Sequence, residues 1–231
     1  MLQKGLHVAK RLAKVAVGRD LFYPVQANCL KEYHGTKYGG WCVCPTDLTK
    51  ESIVYSFGLG NDISFDLSLI KSYGVTVYGF DPTPQSIAWI KQQETPEQFR
   101  LQEYGVSDVD GIVKFFPPAN PTHISHTVLP QNRGESSPVE LEVRRLPTIL
   151  KELGHLTIDI LKMDIEGAEY AVIDDIVTSR LEVKQILVEF HHRFREIHPK
   201  QTQRALESLN DIGFQVFNVS HSGEEYSLIR V

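Results

Sequence analysis

The sequence predicts an α/β protein whose doubly wound, mostly parallel sheet ends in an antiparallel hairpin. From about residue 51 onward, short apolar runs alternate with segments of helical periodicity, a pattern typical of parallel strands joined by right-handed crossovers. Two further apolar runs, residues 214–218 and 226–230, flank a turn-forming segment of serine and glycine, which favours a hairpin. The 231 residues suffice for one such core and are too few for two substantial domains.

Individual strands and helices follow from this alternation. The predicted strands before the hairpin are residues 52–57, 75–80, 100–105, 112–116, 140–143, 158–163 and 185–190. The predicted helices are residues 62–73, 83–93, 146–153, 168–178 and 200–212. Residues 117–138, rich in Pro, Ser, Asn and His, are predicted to be a long loop that is either a lid over a substrate or plain surface.

Residues 1–50 are predicted to form an N-terminal basic helix and an irregular cap segment, and residues 51–231 to form the main domain. Five lysines and arginines but no acid precede Asp20, and a thin, alanine-rich apolar face suits a helix. Such a helix could contact an anionic surface, but its small apolar face favours packing on the domain or on a second subunit. A homo-oligomer is therefore compatible with the sequence. Glycines and prolines interrupt any long element between residues 20 and 50.

Charge and composition argue against several classes of partner. A net charge of −5 provides no general attraction to nucleic acid. No apolar run approaches the ~20 residues that a transmembrane segment needs, and the N-terminus lacks a signal-peptide pattern, so we expect a cytoplasmic protein. The three cysteines, Cys29, Cys42 and Cys44, fit no common zinc spacing even with His34 nearby, and we expect free thiols.

The most informative motif is the pair Gly58 and Gly60, which follows the first predicted strand of the domain and precedes a helix. Asp81 ends the next strand, where a carboxylate can bind ribose hydroxyls. A P-loop would continue with Gly-Lys-Ser/Thr, and a dinucleotide site usually has a third glycine; this sequence has neither. Asp62 would repel a pyrophosphate but could bind an ammonium group, which favours S-adenosylmethionine. The glycines alone are also compatible with a simple tight turn.

A group of carboxylates follows the predicted strand at residues 158–163. Asp164, Glu166 and Glu169 lie at a strand end, where parallel sheets bind ligands. Crowding three carboxylates is costly unless a cation or a proton shares the site. One of them could instead cap the following helix. We expect Asp164 or Glu166 to have a functional role.

Two adjacent histidines, His191 and His192, follow the predicted strand at residues 185–190. A histidine there can accept a proton from a hydroxyl group near neutral pH. Together with Asp164 or Glu189 it could instead bind a divalent metal, which is compatible with the sequence but is not predicted. Adjacent side chains point in opposite directions, so we expect one of the two histidines to face the site.

With these residues in view, the sequence resembles the FkbM family of S-adenosylmethionine-dependent methyltransferases over about residues 52–192. The most specific stretch, residues 161–169, is similar to the family signature. Residues 54–62 are similar to the first cofactor motif, residues 79–82 to the second, and residues 105–108 to the segment near the adenine. The resemblance implies a Rossmann-like class I methyltransferase fold. That fold has a seven-stranded, mostly parallel sheet with an antiparallel C-terminal hairpin and helices on both faces.

The resemblance also implies roles for individual residues. S-adenosylmethionine would be bound by Phe57, Gly58, Gly60, Asp62, Asp81, Pro82, Val106, Ser107, Asp164 and Glu166. The general base would be His191 or His192 first and Asp164 second, and no metal ligand is assigned. Ser56 stands where many methyltransferases have an acid, so Asp62 would bind the ammonium group.

Members of this family mostly methylate hydroxyl oxygens, so the resemblance implies an O-methyltransferase whose acceptor is a sugar or a secondary metabolite. His123 and His126 are secondary candidates for acceptor contacts, and residues 38–41 could close over the cofactor. Two other interpretations stay open. One is a nicotinamide-dependent oxidoreductase or sugar-nucleotide-modifying enzyme on the same sheet, and the other is a non-catalytic binding module with this fold.

Overall fold

A seven-stranded sheet forms the centre of the computed structural model, which describes residues 11, 13–117, 127 and 137–231. The strands in this part of the chain are β1 (Glu32–His34), β2 (Trp41–Val43), β3 (Ile53–Phe57), β4 (Thr76–Phe80), β5 (Phe99–Gln102), β6 (Gly105–Val106), β7 (Gly111–Phe115), β8 (Val139–Arg144), β9 (Ile158–Met163), β10 (Val183–Glu189), β11 (Phe214–Val219) and β12 (Glu225–Arg230). The helices with defined bounds are α1 (Ser64–Tyr73), α2 (Pro84–Ile90), α3 (Leu146–Leu153), α4 (Glu169–Ser179) and α5 (Pro199–Asp211).

The strand order in this sheet is β11-β12-β10-β9-β3-β4-β5. Strands β10, β9, β3, β4 and β5 are parallel, and β12 is antiparallel to both of its neighbours. The chain runs outward from β3 to β5, returns to β9 beside β3, and then runs outward in the other direction. The order therefore reverses between β3 and β9, where sheets of this kind bind ligands. The predicted mostly parallel sheet with a C-terminal hairpin is confirmed.

Helices cover both faces of the sheet because side chains alternate along each strand. Val54 and Val77 pack with α1 and with the end of α2 on one face. Tyr55 and Tyr78 point the other way and pack with α3, α4 and α5. Every residue of the central strand β9 is buried, as expected for a parallel strand that is covered on both sides.

Two predicted strands are present but lie outside the main sheet. β7 and β8, predicted at residues 112–116 and 140–143, form an antiparallel pair, and β6 adds to β8 in parallel. A period of two residues indicates a strand but does not specify its partner, which explains the difference. The five predicted helices are all present close to their expected bounds; the largest difference is at α2, which ends at Ile90 instead of residue 93.

The segment before β3 contains more regular structure than predicted. β1 and β2 form a short antiparallel hairpin, and Trp41 and Val43 are buried among the side chains of the α1 face. Gln185 of β10 donates to the Cys44 carbonyl at 2.7 Å and accepts from the Cys44 amide at 2.9 Å. Residues 13–16 are helical, but most of the predicted basic helix lies outside the described residues. The division at residue 50 stays a prediction.

No helix in the described part of the chain combines the length and the apolar character that crossing a bilayer requires. All three cysteines are free, with Cys44 buried and both Cys29 and Cys42 partly buried. They do not belong to any cluster of metal-ligating side chains among the described residues.

Candidate active site

A cavity of about 440 Å³ lies at the carboxyl ends of β3, β4, β9 and β10, beside the reversal of strand order. Strand-end loops, β6 and residues 37–41 form its walls. The sequence-predicted site residues that line it are Phe57, Gly58, Gly60, Asp62, Asp81, Pro82, Val106, Asp164, Glu166 and His191. Motifs that are far apart in the sequence therefore meet in one cavity, in the position where α/β sheets bind ligands.

The loop after β3 depends on glycine. Gly58 and Gly60 have φ values of 75° and 55°, a backbone conformation that glycine adopts without strain. A Cβ atom on Gly58 would lie 1.7 Å from the carbonyl oxygen of Asp164, so no larger residue fits. The Gly58 amide donates to the Phe80 carbonyl at 3.1 Å, and the Asp164 amide donates to the Phe57 carbonyl at 3.2 Å. The ends of β3, β4 and β9 are thereby held close together.

The buried carboxylate of Asp81 organises this glycine loop. Its Oδ2 accepts from the amides of Leu59 at 3.1 Å and Gly60 at 3.0 Å. Its Oδ1 accepts from the Thr83 amide at 2.9 Å and from the Thr83 hydroxyl. A carboxylate has about four acceptor positions, so these bonds fill them. The predicted contact between Asp81 and a ribose would have to replace one of these bonds, and it stays a prediction.

Asp62 joins the glycine loop to the segment that leads into β2. Its Oδ1 accepts from the Ser64 amide at 2.9 Å, and its Oδ2 accepts from the Thr36 hydroxyl at 2.6 Å. The Thr36 oxygen in turn accepts from the amides of Tyr38 and Gly39 at 3.2 and 3.0 Å. Burial alone would raise the pKa of Asp62, but the hydrogen bonds from Ser64 and Thr36 outweigh it and lower the pKa. Asp62 is therefore anionic at neutral pH.

Lys162 also lines the cavity, although the motifs in the sequence predicted no role for it. It interrupts the apolar strand β9, and its Nζ donates to the carbonyls of Phe57 at 3.1 Å and Gly58 at 2.6 Å. The ammonium group also lies 6.0 Å from the centre of the Trp41 ring. Burial raises the pKa of the nearby Asp66 carboxyl to about 6, and the positive charge of Lys162 opposes this rise. A single lysine inside an apolar run was the signal that could have identified it.

His191, just after β10, points one ring nitrogen at a buried carboxylate and the other at the cavity carboxylates. Nδ1 lies 2.8 Å from Oε1 of the fully buried Glu169, so Nδ1–H donates to that oxygen. Nε2 lies 3.7 Å from Asp164 Oδ1 and 3.5 Å from Glu166 Oε2. Burial alone would lower the pKa of His191, but Glu169, Glu166 and Asp164 outweigh it and raise the pKa well above its usual value. The ring therefore carries a proton at neutral pH.

The loop between β9 and α4 is shaped around Glu169. The carboxylate of Glu169 accepts from the amides of Ile165 at 3.1 Å and Gly167 at 3.0 Å, in addition to His191. Glu166 has a φ of 53°, rare for a residue other than glycine, and its carbonyl accepts from the Thr127 hydroxyl. This loop positions the side chains of both Asp164 and Glu166 next to His191. Its local strain is of the kind found at functional sites.

The cavity carries an excess of negative charge. Its described lining contains six carboxylates, two lysines and His191; the acids are Asp62, Asp81, Asp164, Glu166, Glu189 and Glu225. Burial, reinforced by the neighbouring Asp164, raises the pKa of Glu189 to about 8. Such crowding is costly without a cation. The arrangement therefore suits a positively charged ligand.

Two predicted residues lie outside this cavity. His192 is buried outside the cavity, where its Nε2 lies 3.2 Å from Asp20 Oδ1, and burial lowers its pKa despite that carboxylate. Ser107 is not part of the described cavity lining, and its hydroxyl donates to Asp108 at 3.0 Å. His123 and His126 lie outside the described residues. Of the two adjacent histidines, His191 lines the cavity and His192 does not; the role of either at the site stays a prediction.

The sequence profile of the methyltransferase FkbM domain matches residues 50–216, well over half of the chain. The chain belongs to the FkbM methyltransferase family. Among relatives of this FkbM protein, the probable methyltransferase-like protein 24 of Rattus norvegicus is 28% identical over 162 residues, which are 65% of this chain and 38% of that protein. The 2-O-methyltransferase NoeI of Sinorhizobium fredii (strain NBRC 101917 / NGR234) is 30% identical over 111 residues, which are 42% of this chain and 46% of that protein. The chain thus spans less than half the length of these curated relatives.

Solved structures with a similar fold include another FkbM protein. The methyltransferase FkbM of Methylobacillus flagellatus KT is 13% identical with a TM-score of 0.49, and the match covers 80% of this chain and 45% of that one. Aeropyrum pernix fibrillarin, solved with natively bound S-adenosyl-L-methionine, is 12% identical with a TM-score of 0.43, over 80% and 67% of the two chains. The domain match over residues 50–216 confirms the family predicted from the sequence, and the strand order of the sheet confirms the Rossmann-like methyltransferase fold.

Proposed function

We propose that this FkbM protein transfers a methyl group from S-adenosylmethionine to a hydroxyl oxygen of a small molecule, either a sugar or a secondary metabolite. The observation that carries the proposal is the cavity at the reversal of strand order, which combines a glycine loop with an excess of carboxylates. The relative named as a 2-O-methyltransferase supports oxygen as the acceptor atom. We propose no nucleic-acid acceptor, because the chain has a net charge of −5.

The residues of the cavity fit a cationic ligand that lacks phosphate. Six carboxyl groups face two lysines and the protonated His191, and Lys162 already donates to the carbonyls of Phe57 and Gly58. A pyrophosphate would be repelled by this lining, whereas an ammonium or sulfonium group would be attracted. S-adenosylmethionine therefore suits the cavity better than a nicotinamide dinucleotide does.

A polar and an apolar wall would hold the cofactor. Asp62, kept ionised by its hydrogen bonds, would bind the ammonium group, and the backbone of the Gly58 loop allows close approach. Pro82 and Val106 provide apolar surface for the adenine, while Asp81 keeps the loop in shape. When bound, S-adenosylmethionine supplies an electrophilic methyl group on a sulfonium.

His191 and Asp164 would receive the acceptor hydroxyl at the other end of the cavity. We assign proton uptake to Asp164, the second of the predicted bases, because the raised pKa of His191 keeps that ring protonated. Withdrawal from water raises the pKa of the Asp164 carboxyl, which makes it a stronger base. Most of the rate enhancement would come from aligning the acceptor oxygen with the methyl group.

Two measurements test this proposal. Isothermal titration calorimetry should show binding of S-adenosylhomocysteine and no binding of NAD; the reverse result would rule out the proposed cofactor. Incubation of the protein and a cell extract with methyl-labelled S-adenosylmethionine should give a labelled small molecule in mass spectrometry. An Asp164→Asn variant should form that product at least about 100-fold more slowly. Cofactor binding without any labelled product would favour a non-catalytic module instead.

A further inference from the structure

We infer that Asp164, Glu166 and His191 form a binding site for one divalent metal ion at the acceptor end of the cavity. The inference rests on the proposed function, because it assigns the ion to the activation of the acceptor hydroxyl. Among the described residues, this is the one group of three or more His, Cys, Asp and Glu side chains whose ligand atoms all lie within 4.8 Å of one another.

The spacing of the three side chains suits a shared ion. His191 Nε2 lies 3.5 Å from Glu166 Oε2 and 3.7 Å from Asp164 Oδ1. Two ligand atoms that each lie about 2.1 Å from one ion are separated by about 3.0 to 3.5 Å, depending on the coordination geometry. Small side-chain adjustments would therefore bring all three atoms to bonding distance. The ion would displace the Nε2 proton that His191 carries in its absence, because a metal-binding ring nitrogen must be deprotonated.

The orientation of His191 is a second, independent observation. Its side chain is nine-tenths buried, and Nδ1 is fixed by the carboxylate of Glu169, which is itself fully buried. Metal-binding histidines typically donate their other ring N–H to a carboxylate in this way, which fixes the ring and strengthens the ligand. The amides of Ile165 and Gly167 hold Glu169 in turn, so the support of the proposed ligand is itself rigid.

The donor set indicates which ions would bind. One imidazole nitrogen and two carboxylate oxygens suit ions of intermediate character such as Mn²⁺ better than Ca²⁺, which prefers oxygen ligands alone. Three protein ligands also leave coordination positions open. These positions face the cavity, since Asp164, Glu166 and His191 all line it.

An open coordination position gives the ion a role in methyl transfer. An acceptor hydroxyl bound to the ion would lose its proton more easily, as metal-bound water does. The proton would pass to the oxygen of Asp164 that does not bind the ion. The electron pair of the broken O–H bond would form the new O–CH₃ bond. The pair of the broken S–CH₃ bond would stay on sulfur, which leaves S-adenosylhomocysteine.

Mn²⁺ titration of the full chain after chelator treatment tests the site without any acceptor. Electron paramagnetic resonance should detect one bound Mn²⁺ per chain, with a dissociation constant below about 100 μM. Asp164→Asn and His191→Ala should each weaken binding at least about tenfold. Glu225→Gln is the matched control, since it removes one charge from the same cavity without touching the cluster; it should change the affinity less than about threefold.

Two results would overturn the site. One is the absence of Mn²⁺ binding up to about 1 mM, and the other is an equal loss of affinity in Glu225→Gln, which would indicate diffuse attraction by the acidic cavity. Circular dichroism of each variant shows whether it is folded. Binding of S-adenosylhomocysteine, measured on the same samples, separates the two proposals: if it persists while Mn²⁺ fails to bind, only the metal site is wrong.

Discussion

Gly58 has no room for a side chain in the cavity wall. It combines a φ of 75° with the close approach of the Asp164 carbonyl, 1.7 Å from the position of a Cβ atom. Gly58→Ala would therefore push apart the ends of β3 and β9. We expect the free energy of unfolding to fall by about 3 kcal/mol or more, and S-adenosylhomocysteine binding to be lost. Urea denaturation and calorimetric titration would measure both effects.

Gly154 provides a matched control for this prediction. Its φ of 74° is nearly the same, but apart from its two chain neighbours no atom of the described residues lies within 4 Å of the position of its Cβ atom. Gly154→Ala should thus show the cost of the backbone conformation alone, about 1 kcal/mol, with cofactor binding intact. If the two substitutions lower the free energy of unfolding equally, the contact with Asp164 is not the reason that Gly58 is necessary.

Ten residues predicted for the site line the cavity, but the sequence did not indicate how their hydrogen bonds are arranged. Motifs at strand ends are predictable because parallel strands bring their carboxyl ends to one edge of the sheet. Alternation likewise indicated that one of two adjacent histidines would face the site, but it could not select His191. That choice depends on Glu169 and Asp20, the separate carboxylates that His191 and His192 contact. Such pairings between distant residues leave no periodic signal in the sequence.

At the scale of elements, one threonine connects the segment before β2 to the glycine loop. Thr36 donates to Asp62 and accepts from the amides of Tyr38 and Gly39, so its hydroxyl shapes this wall of the cavity. Thr36→Val keeps the side-chain volume and removes the hydroxyl. We expect about a fivefold loss of affinity for S-adenosylhomocysteine by calorimetry, the effect of one hydrogen bond of about 1 kcal/mol.

Thr36→Ser is the corresponding control, because it keeps the hydroxyl and removes only a methyl group. It should bind S-adenosylhomocysteine nearly as well as the parent protein does. If Thr36→Val and Thr36→Ser lose the same affinity for S-adenosylhomocysteine, the methyl group and not the hydrogen bond to Asp62 supports this wall.

Elements of different lengths were predicted with different success. The five long strands of the parallel sheet and α1 to α5 have clear periodicity, and each is buried on at least one side. β1 and β2 have three residues each, too few for a period to be recognised. β2 is nevertheless buried because Trp41 and Val43 cover the α1 face, a contact that only the folded chain reveals.

At the scale of the whole molecule, a buried ionic group joins the N-terminal segment to the C-terminal half. Asp20 Oδ2 accepts from Arg193 at 2.6 Å, and Asp20 Oδ1 lies 3.2 Å from His192 Nε2. The side chains of Asp20 and His192 are fully buried. Asp20→Asn would remove the carboxylate charge that faces Arg193, whose other ionic partner is Glu224, and would weaken the contact with His192. We expect the free energy of unfolding at pH 7, measured in urea, to fall by about 3 kcal/mol.

The pH dependence of this effect follows from the pKa of Asp20. Burial alone would raise that pKa, but the hydrogen bond from Arg193 and its charge outweigh burial and lower it. A carboxyl group with a lowered pKa in the folded state stabilises the fold fully above its unfolded pKa of about 3.9. This stabilisation is lost as the pH falls through the folded-state value. The stability difference between the parent protein and Asp20→Asn should therefore be constant from pH 5 to 7, as measured by urea denaturation, and should shrink below about pH 4.

Glu103→Gln tests whether this dependence belongs to the buried group or to carboxylates in general. Glu103 forms an ion pair with Lys91 at 2.5 Å, but both side chains are about half exposed. Glu103→Gln should lower the free energy of unfolding by less than about 0.5 kcal/mol at any pH, because water and salt screen the pair. If the stability difference between the parent protein and Asp20→Asn stays constant down to pH 3, Asp20 acts through its shape and not through its charge. In that case, the packing of the N-terminal segment, not an ionic contact, would hold it against the C-terminal half.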